Sequence, residues 1–135
     1  MKTIDPDPEK LPDQLAQLPQ DKPIVMLNLL KFRKRARYRD GEADYSGRKA
    51  YGMYSEVALK KLAEIGAQLI WMGRAHGALI APEGEDWDEV LLVRYPSVRA
   101  FMKLLAMPDY RESARHRTAA LEDARLVATV EEPVG

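Results

Sequence analysis

The sequence predicts an α+β fold of the ferredoxin-like type, with an antiparallel sheet and the element order βαββαβ. Apolar stretches of strand length and helical patterns follow one another in that order along the chain, which is the split βαβ arrangement. The chain has 135 residues, enough to bury one core but not two independent cores. It contains no cysteine, so neither disulfide bonds nor thiolate metal sites build this core.

An irregular N-terminal arm is predicted for residues 1–22, ahead of a single domain at residues 23–135. The arm holds four prolines and five acidic residues, a composition that favours irregular structure. Leu11, Leu15 and Leu18 have the spacing of a short helix that would dock the arm. Since the arm lacks the apolar run of a signal peptide and no later stretch could span a membrane, we expect a cytoplasmic protein.

The core begins with a nearly continuous apolar run, IVMLNLLKF, at residues 24–32. Such a run is typical of a strand covered on both faces, so we expect it at the centre of the sheet. After a polar connection, a helical pattern runs from about Asp44 to Ile65 and ends at Gly66, a residue type common at C-caps. One stripe of this helix is predicted to face the core, formed by Ala50, Tyr54, Val57, Ala58, Leu62 and Ile65.

Two strands follow the first helix. Residues 67–82 are predicted to form the first of them, with Gly73 and Gly77 marking a bulge or a bend. The second is the compact apolar segment EVLLVRYP at residues 89–96, which stops at Pro96.

Helical segments and a last strand complete the domain. Ser97 is placed to cap one helix, and Pro108 is placed to open another that continues to about Asp123. The segment ARLVATVEE, at residues 124–132, is the final strand. In this topology the helices cover one face of the sheet, and the other face exposes apolar side chains. We therefore expect a homodimer that pairs sheet faces.

Arg117 is the most informative residue for function. Tyr110 and Leu121 define the inward stripe of the last helix, and Arg117 falls in the middle of that stripe. A guanidinium in an apolar setting must find a counter-charge or hydrogen-bond acceptors. Either it pairs with an acid, such as Glu112, Glu131 or an acid of a partner chain, or it binds an anionic ligand in a pocket.

His116 lies on the flank of the same stripe and is the candidate catalytic residue. A histidine there is able to act as an acid or a base near neutral pH. The alternative is a packed or solvated histidine without a chemical role.

Polar and aromatic residues within the apolar elements are candidates for the lining of a small-molecule pocket. Asn28 interrupts the first strand, Tyr54 lies at the centre of the helical stripe, and Trp71 lies within the second strand. Lys31 and Arg94 lie near strand ends, where their charged groups reach water. The sequence does not show which face of the first strand meets the helices.

The charge pattern bears on partners. The 21 Lys and Arg residues balance the 21 Asp and Glu residues, and this balance argues against a general nucleic-acid binder. The charges are nevertheless segregated into a cation-rich connection at residues 31–39 and an acid-rich one at residues 83–89. These loops either meet across a dimer or form two solvated surfaces.

Motifs for other chemistries are absent. The chain has no GxSxG, P-loop, GxGxxG or HExxH motif. His76 and His116 have no carboxylate at the helical spacing of metal ligands. The sequence therefore predicts no metal and no cofactor.

Several segments of the chain resemble the domain-of-unknown-function 1330 family. The resemblance is carried by EVLLVRYPSVRAFMKLLAMPDYRESARHRTAALEDARLVATVE in the second half, and by PIVMLNLLKFR and SGRKAYGMYSEVA in the first. It spans roughly residues 23–131 and leaves the N-terminal arm outside. It implies a dimeric α/β barrel, in which two ferredoxin-like chains pair their sheets face to face.

The wider superfamily implied by that resemblance includes cofactor-independent monooxygenases, muconolactone isomerases and haem-dependent enzymes, so the fold transmits no single reaction. Our leading hypothesis is a pocket between sheet and helices for an aromatic or enolisable anionic compound, used for binding or for cofactor-independent oxygenase or isomerase chemistry. Arg117, Asn28, Tyr54 and Trp71 would bind the ligand, and His116 would be the base. The alternative is a non-enzymatic dimeric binding or structural module that uses its charged loops.

Overall fold

The fold is built on one four-stranded antiparallel sheet, in a computed structural model that describes residues 1–135. In chain order the elements are α1 (Leu11–Ala16), β1 (Ile24–Phe32), β2 (Arg37–Tyr38), β3 (Gly41–Glu42), α2 (Gly47–Glu64), β4 (Gln68–Arg74), β5 (Glu89–Tyr95), α3 (Val98–Ala106), α4 (Pro108–Ala120) and β6 (Leu121–Thr129). The sheet has the order β4–β5–β1–β6, and β2 and β3 form a separate hairpin. Strand β1 lies at the centre, as the sequence predicts, and pairs there with β5, and the ferredoxin-like fold class is confirmed.

The burial pattern of β1 shows which face of the sheet meets the helices. Ile24 and Leu30 are completely buried, and Asn28 lies on their face because side chains alternate along a strand. Leu27 and Lys31 lie on the opposite face. We call the face that bears Asn28 the inner face and the face that bears Leu27 the outer face.

Helix α2 packs on the inner face through the apolar stripe that the sequence predicts. Ala50 and Leu62 of that stripe are buried. The helix begins after Ser46, whose hydroxyl oxygen accepts a hydrogen bond of 3.0 Å from the backbone N–H of Lys49. Beyond its last residues, Gly66 adopts a positive φ of 74°, the conformation that favours glycine. Neither α2 nor any other helix is long and apolar enough to cross a membrane.

The last helical region begins as predicted but ends earlier. Ser97 caps α3, and Pro108 is the first residue of α4. We expected α4 to continue to about Asp123, whereas it ends at Ala120. The reason is that Leu121 is fully buried within the sheet as the first residue of β6.

Strand β4 is also shorter than predicted. It ends at Arg74, which pairs with Glu89 at the start of β5, and not near residue 82. The residues that follow have no strand partner. Leu79 and Ile80, in the connection to β5, are 97% and 99% exposed.

A small hairpin lies in the segment that the sequence predicts as a polar connection. Its strands β2 and β3 are tethered to the domain by Ala36, which is completely buried. The backbone N–H of Ala36 donates to the carbonyl of Tyr45 at 2.9 Å, and the carbonyl of Ala36 accepts from Ala43 at 2.8 Å. One buried alanine thus fixes a loop that is otherwise rich in charged residues.

Gly47, the first residue of α2, lies where three elements meet. The backbone N–H of Arg33 donates to the carbonyl of Ala120 at 2.8 Å, and the carbonyl of Arg33 accepts from Gly47 at 3.0 Å. A Cβ atom on Gly47 would lie 2.8 Å from the Arg33 nitrogen and closer still to the carbonyl oxygens of Arg33 and Ala120. Only a residue without a side chain fits at this junction.

The N-terminal arm is fastened to the domain at two points. Thr3 pairs with β6: its carbonyl accepts from the backbone N–H of Ala124 at 2.7 Å, and its own N–H donates to the Asp123 carboxylate at 2.9 Å. Farther along, α1 docks through Leu15, which is buried in the core. Residues 4–10 run between these anchors.

Candidate functional site

A cavity of about 760 Å³ lies between the inner face of the sheet, the helices and the N-terminal arm. Its volume is within the range of about 300–1,000 Å³ that is usual for small-molecule sites. Most of the residues that line it are hydrophobic. The apolar wall includes Met26, Leu62, Leu69, Val93, Phe101 and Leu104.

Arg117 of α4 brings a positive charge to this apolar space. Its side chain is 13% exposed and lines the cavity. One terminal nitrogen, Nη1, donates to the carbonyl of Ile4 at 2.8 Å and to the Asp5 carboxylate at 3.2 Å. The Nε and Nη2 groups have no acceptor within the chain. The acid partner of Arg117 is therefore Asp5 of the N-terminal arm, and not Glu112 or Glu131.

Three tyrosines form a cluster along the helical wall of the cavity. The rings of Tyr51 and Tyr54 are 5.2 Å apart, those of Tyr54 and Tyr110 are 5.8 Å apart, and the hydroxyls of Tyr54 and Tyr110 are 2.8 Å apart. Burial raises the pKa of Tyr51 to about 12 and raises the pKa of Tyr54 well above its usual value. Tyr51 and Tyr54 are thus protonated at neutral pH and able to donate hydrogen bonds. The hydroxyl of Tyr51 has no partner within the chain.

The sheet contributes Asn28 and Glu89 to the cavity. The Asn28 side-chain amide donates to the carbonyl of Met26 at 3.3 Å, and the Asn28 carbonyl oxygen has no partner within the chain. Asn28 pairs with Leu91 of β5, so Glu89 is its diagonal neighbour on the inner face. The Glu89 carboxylate accepts from Arg48 of α2 at 2.9 Å.

Three of the five predicted site residues are therefore brought together. Asn28, Tyr54 and Arg117 all line the cavity. Trp71 does not: a bulge between Leu69 and Trp71 shifts the register of β4, and Trp71 pairs with Leu92 on the outer face. Its side chain is 53% exposed there.

The fifth residue, His116, does not line the cavity either. Its Nδ1 atom is 2.6 Å from the hydroxyl of Tyr38, which accepts a hydrogen bond of 2.8 Å from Tyr45. Burial and the nearby Arg115 guanidinium lower the pKa of His116. The histidine thus joins the β2–β3 hairpin to α4.

Sequence reasoning missed Asp5 and Glu89 as site residues. The signal for Glu89 is the period-two alternation of β5, which places it on the inner face with Leu91, Val93 and Tyr95. No such periodic signal exists for Asp5, because the arm before α1 has no regular structure.

The two charged loops meet within the chain. Lys31 forms an ion pair with Asp86, and the Asp88 carboxylate accepts from the backbone N–H of Phe32 at 2.8 Å. The other cations of the 31–39 segment have no ion-pair partner: Arg33, Lys34, Arg35, Arg37 and Arg39.

The cavity thus combines an apolar body with hydrogen-bond donors and one cation. Such a lining suits a compound with an apolar part and an anionic or strongly accepting group. No group of three or more His, Asp or Glu side chains in the structure is arranged to hold a metal ion.

Residues 38–131 match the family described as "Domain of unknown function (DUF1330)". The chain belongs to the DUF1330 family. The match begins in the β2–β3 hairpin and ends just beyond β6. Among curated proteins, none matches the chain.

Solved structures extend the similarity of this DUF1330 chain. A protein of unknown function from Rhodopseudomonas palustris is 36% identical, with a TM-score of 0.90 over 99% of this chain and 100% of the other. A dimeric protein of unknown function with a ferredoxin-like fold from Bacteroides fragilis is 13% identical, with a TM-score of 0.53 over 84% and 100%. SnoaB, a cofactor-independent oxygenase from Streptomyces nogalater, is 12% identical, with a TM-score of 0.52 over 84% and 96%. The last two share the fold alone.

Proposed function

We propose that this DUF1330 protein binds a small compound with an apolar body and an anionic group in the cavity between sheet and helices. The observation that supports this proposal is the position of Arg117, whose guanidinium lies in the wall of a largely apolar cavity. Two of its three nitrogens have no acceptor within the chain. These nitrogens are accessible and not buried, so they can donate charge-assisted hydrogen bonds to an anionic ligand that enters the cavity.

Asn28, Tyr51 and Tyr54 would orient the ligand. Each of them lines the cavity, and the tyrosine hydroxyls stay protonated because burial raises their pKa. The Tyr51 hydroxyl and the Asn28 carbonyl oxygen offer one donor and one acceptor that the chain does not use. A ligand carbonyl or hydroxyl that meets them would be held in one orientation within the cavity.

The proposal is for binding. Cofactor-independent oxygenase or isomerase chemistry on the bound compound stays a prediction from the family resemblance, since the likeness to the oxygenase extends to the fold alone. His116 would not be the base in such a reaction, because it does not line the cavity. Tyr51, Tyr54 and Glu89 are among the titratable groups that line the cavity.

Isothermal titration with three naphthalene probes tests the binding proposal. We expect 2-naphthoate to bind more tightly than the neutral alcohol 2-naphthol or the cation 2-naphthylmethylammonium, because only the carboxylate pairs with Arg117. Replacing Arg117 by Gln should weaken naphthoate binding at least about tenfold, or about 1.4 kcal/mol. Naphthol binding should change little.

Arg111→Gln is the matched control, because Arg111 is an exposed residue of α4 that does not line the cavity. Nuclear Overhauser contacts from the probe to Leu62 or Leu104 would locate the probe in the cavity. Equal naphthoate affinity in the Arg117→Gln and Arg111→Gln proteins would reject the proposed role of Arg117.

We also propose that two copies pair through their outer sheet faces. The outer face carries Leu27, Leu92 and the exposed Trp71. A contiguous apolar surface of this kind is typical of an interface. The Bacteroides fragilis protein of the same fold is dimeric, which supports a second copy as the occupant of this face.

A further inference from the structure

The N-terminal arm forms one wall of the cavity. Residues 3–7 line it beside Arg117. This segment lies between the two anchors of the arm, the pairing of Thr3 with Ala124 and the docking of α1 through Leu15. Asp5 lies between these anchors in a stretch without regular secondary structure, so its side chain can leave Arg117 while both ends of the arm stay attached.

Asp5 presents a carboxylate to the rim of the cavity. Its Oδ1 atom accepts from Arg117 Nη1 at 3.2 Å, and the Thr118 hydroxyl is 3.0 Å from Oδ1 and 3.1 Å from Oδ2. The Asp5 side chain is 49% exposed, whereas that of Arg117 is 13% exposed. The carboxylate is therefore the half of the pair that solvent reaches, and ion pairs with an exposed partner contribute little to stability.

We propose that Asp5 occupies the position of the ligand's anionic group, and that the cavity takes carboxylic acids with an apolar body. This inference rests on the proposed binding function. It identifies the anionic group of the ligand as a carboxylate and Asp5 as the group that competes with it for Arg117. A ligand carboxylate would take the place of Asp5 on Arg117 Nη1 and also accept from the free Nη2 beside it. The apolar body of the ligand would lie against the wall that contains Leu62 and Phe101.

The bonds of Asp5 explain why a carboxylate fits this place. Its two coplanar oxygens meet one guanidinium N–H and one hydroxyl on the same turn of α4. A ligand carboxylate offers the same oxygens on a neighbouring carbon and brings an apolar body that Asp5 lacks. Exchange therefore keeps the charge of Arg117 neutralised and adds apolar burial.

Exchange also predicts that Asp5 weakens ligand binding in the unmodified protein. A ligand carboxylate can pair fully with Arg117 only in those protein molecules in which Asp5 has left Arg117. The apparent affinity of the ligand is therefore reduced in proportion to the fraction of molecules in which Asp5 still holds Arg117. Removing the charge of Asp5 should remove this competition. An arm that merely closes the cavity predicts the reverse, since loss of its ion pair would loosen the wall.

Titration of 2-naphthoate into the Asp5→Asn protein distinguishes these cases. We expect binding about three- to tenfold tighter than in the unmodified protein. Asp13→Asn is the matched control, because Asp13 carries the same charge on the same arm but is exposed and does not line the cavity. Its affinity should stay within about twofold. Thermal melts of both variants should show that each is folded.

Amide NMR of the unmodified protein gives a second readout that needs no variant. On saturation with 2-naphthoate, the amides of Ile4, Asp5 and Asp7 should shift. That of Leu15 should not, because this anchor stays in place and does not line the cavity. Unshifted amides at residues 4–7 would contradict the exchange.

The outcomes separate this inference from the proposed function. Tighter binding in Asp5→Asn alone supports exchange. Equal affinity in Asp5→Asn and the unmodified protein, with Arg117→Gln still weak, would overturn exchange and leave the binding site intact. Absence of naphthoate binding in every variant would reject the binding site, and exchange with it.

Discussion

At the scale of single residues, the partial burial of His116 makes the stability of the fold depend on pH. Burial lowers the pKa of His116 below its usual value of 6.5 in the folded chain. Near and below pH 6.5 the unfolded chain therefore binds the proton more readily than the folded chain. The stabilisation is fully present above the unfolded pKa of 6.5 and is lost as the pH falls through the folded pKa.

We expect the free energy of unfolding, measured with urea at pH 7 and at pH 5, to decrease on acidification. Replacing His116 by Phe should reduce this decrease, because the titrating group is gone. Replacing His76 by Gln should leave this decrease unchanged, since His76 is exposed. Identical pH dependence in the His116→Phe protein and the unmodified protein would contradict this account.

The same scale shows what a sequence reveals about a site. Asn28, Tyr54 and Arg117 were predicted together because each lies within a periodic pattern, and periodic patterns give the direction of a side chain. Trp71 was grouped with them, but a single bulge in β4 turns its side chain to the other face of the sheet. The role of Asp5 could not be predicted from the sequence. The arm that carries it has no periodic pattern and is positioned by contacts with residues more than a hundred positions away.

At the scale of elements, two glycines of α2 have opposite roles. Gly47 lies against the backbone of Arg33 and Ala120, whereas a Cβ on Gly52 would meet nothing within 4 Å. The first glycine therefore permits the junction of β1, α2 and α4. The second only weakens the helix, since glycine in a helix interior costs conformational entropy.

Alanine substitutions should separate these roles. Gly47→Ala should destabilise the protein by about 1–3 kcal/mol or more, because backbone atoms that cannot rotate away must move. Gly52→Ala should stabilise it by about 0.5–1 kcal/mol. Urea unfolding of the two variants and the parent measures both. A Gly47→Ala protein as stable as the parent would show that the junction is not tightly packed.

Element boundaries were predicted where a local signal ends an element. Gly66, Ser97 and Pro108 all act as the sequence indicates. The β2–β3 hairpin was not predicted, because its charged residues resemble a solvated loop and one buried alanine holds it. Tertiary contacts determine the structure of such segments, and a local sequence pattern carries no information about those contacts.

At the scale of the whole molecule, the outer face determines the expected assembly. Leu92 of β5 lies opposite Leu27 of β1 at the centre of this face. A dimer would remove both from water, and the apolar burial would supply the association energy. An arginine at either position would introduce an unpaired charge into the interface.

Light scattering coupled to size-exclusion chromatography tests the dimer. The unmodified protein should elute at twice the monomer mass of 15.3 kDa, and Leu92→Arg should shift it to the monomer. Met102→Arg is the control, because Met102 is an exposed apolar residue of α3, on the helical side of the sheet. A monomeric parent protein, or a dimer that tolerates Leu92→Arg, would rule out pairing through this face.

The pairing of Thr3 with Ala124 also bears on self-association of another kind. Strand β6 is at one edge of the sheet, and edge strands with free N–H and C=O groups recruit strands from other molecules. The Thr3 carbonyl occupies the Ala124 N–H, and the Thr3 hydroxyl occupies the Ala124 carbonyl at 2.6 Å. Thr3 therefore blocks the addition of a strand from another molecule at this point of the edge, so the segment that lines the cavity also protects part of β6.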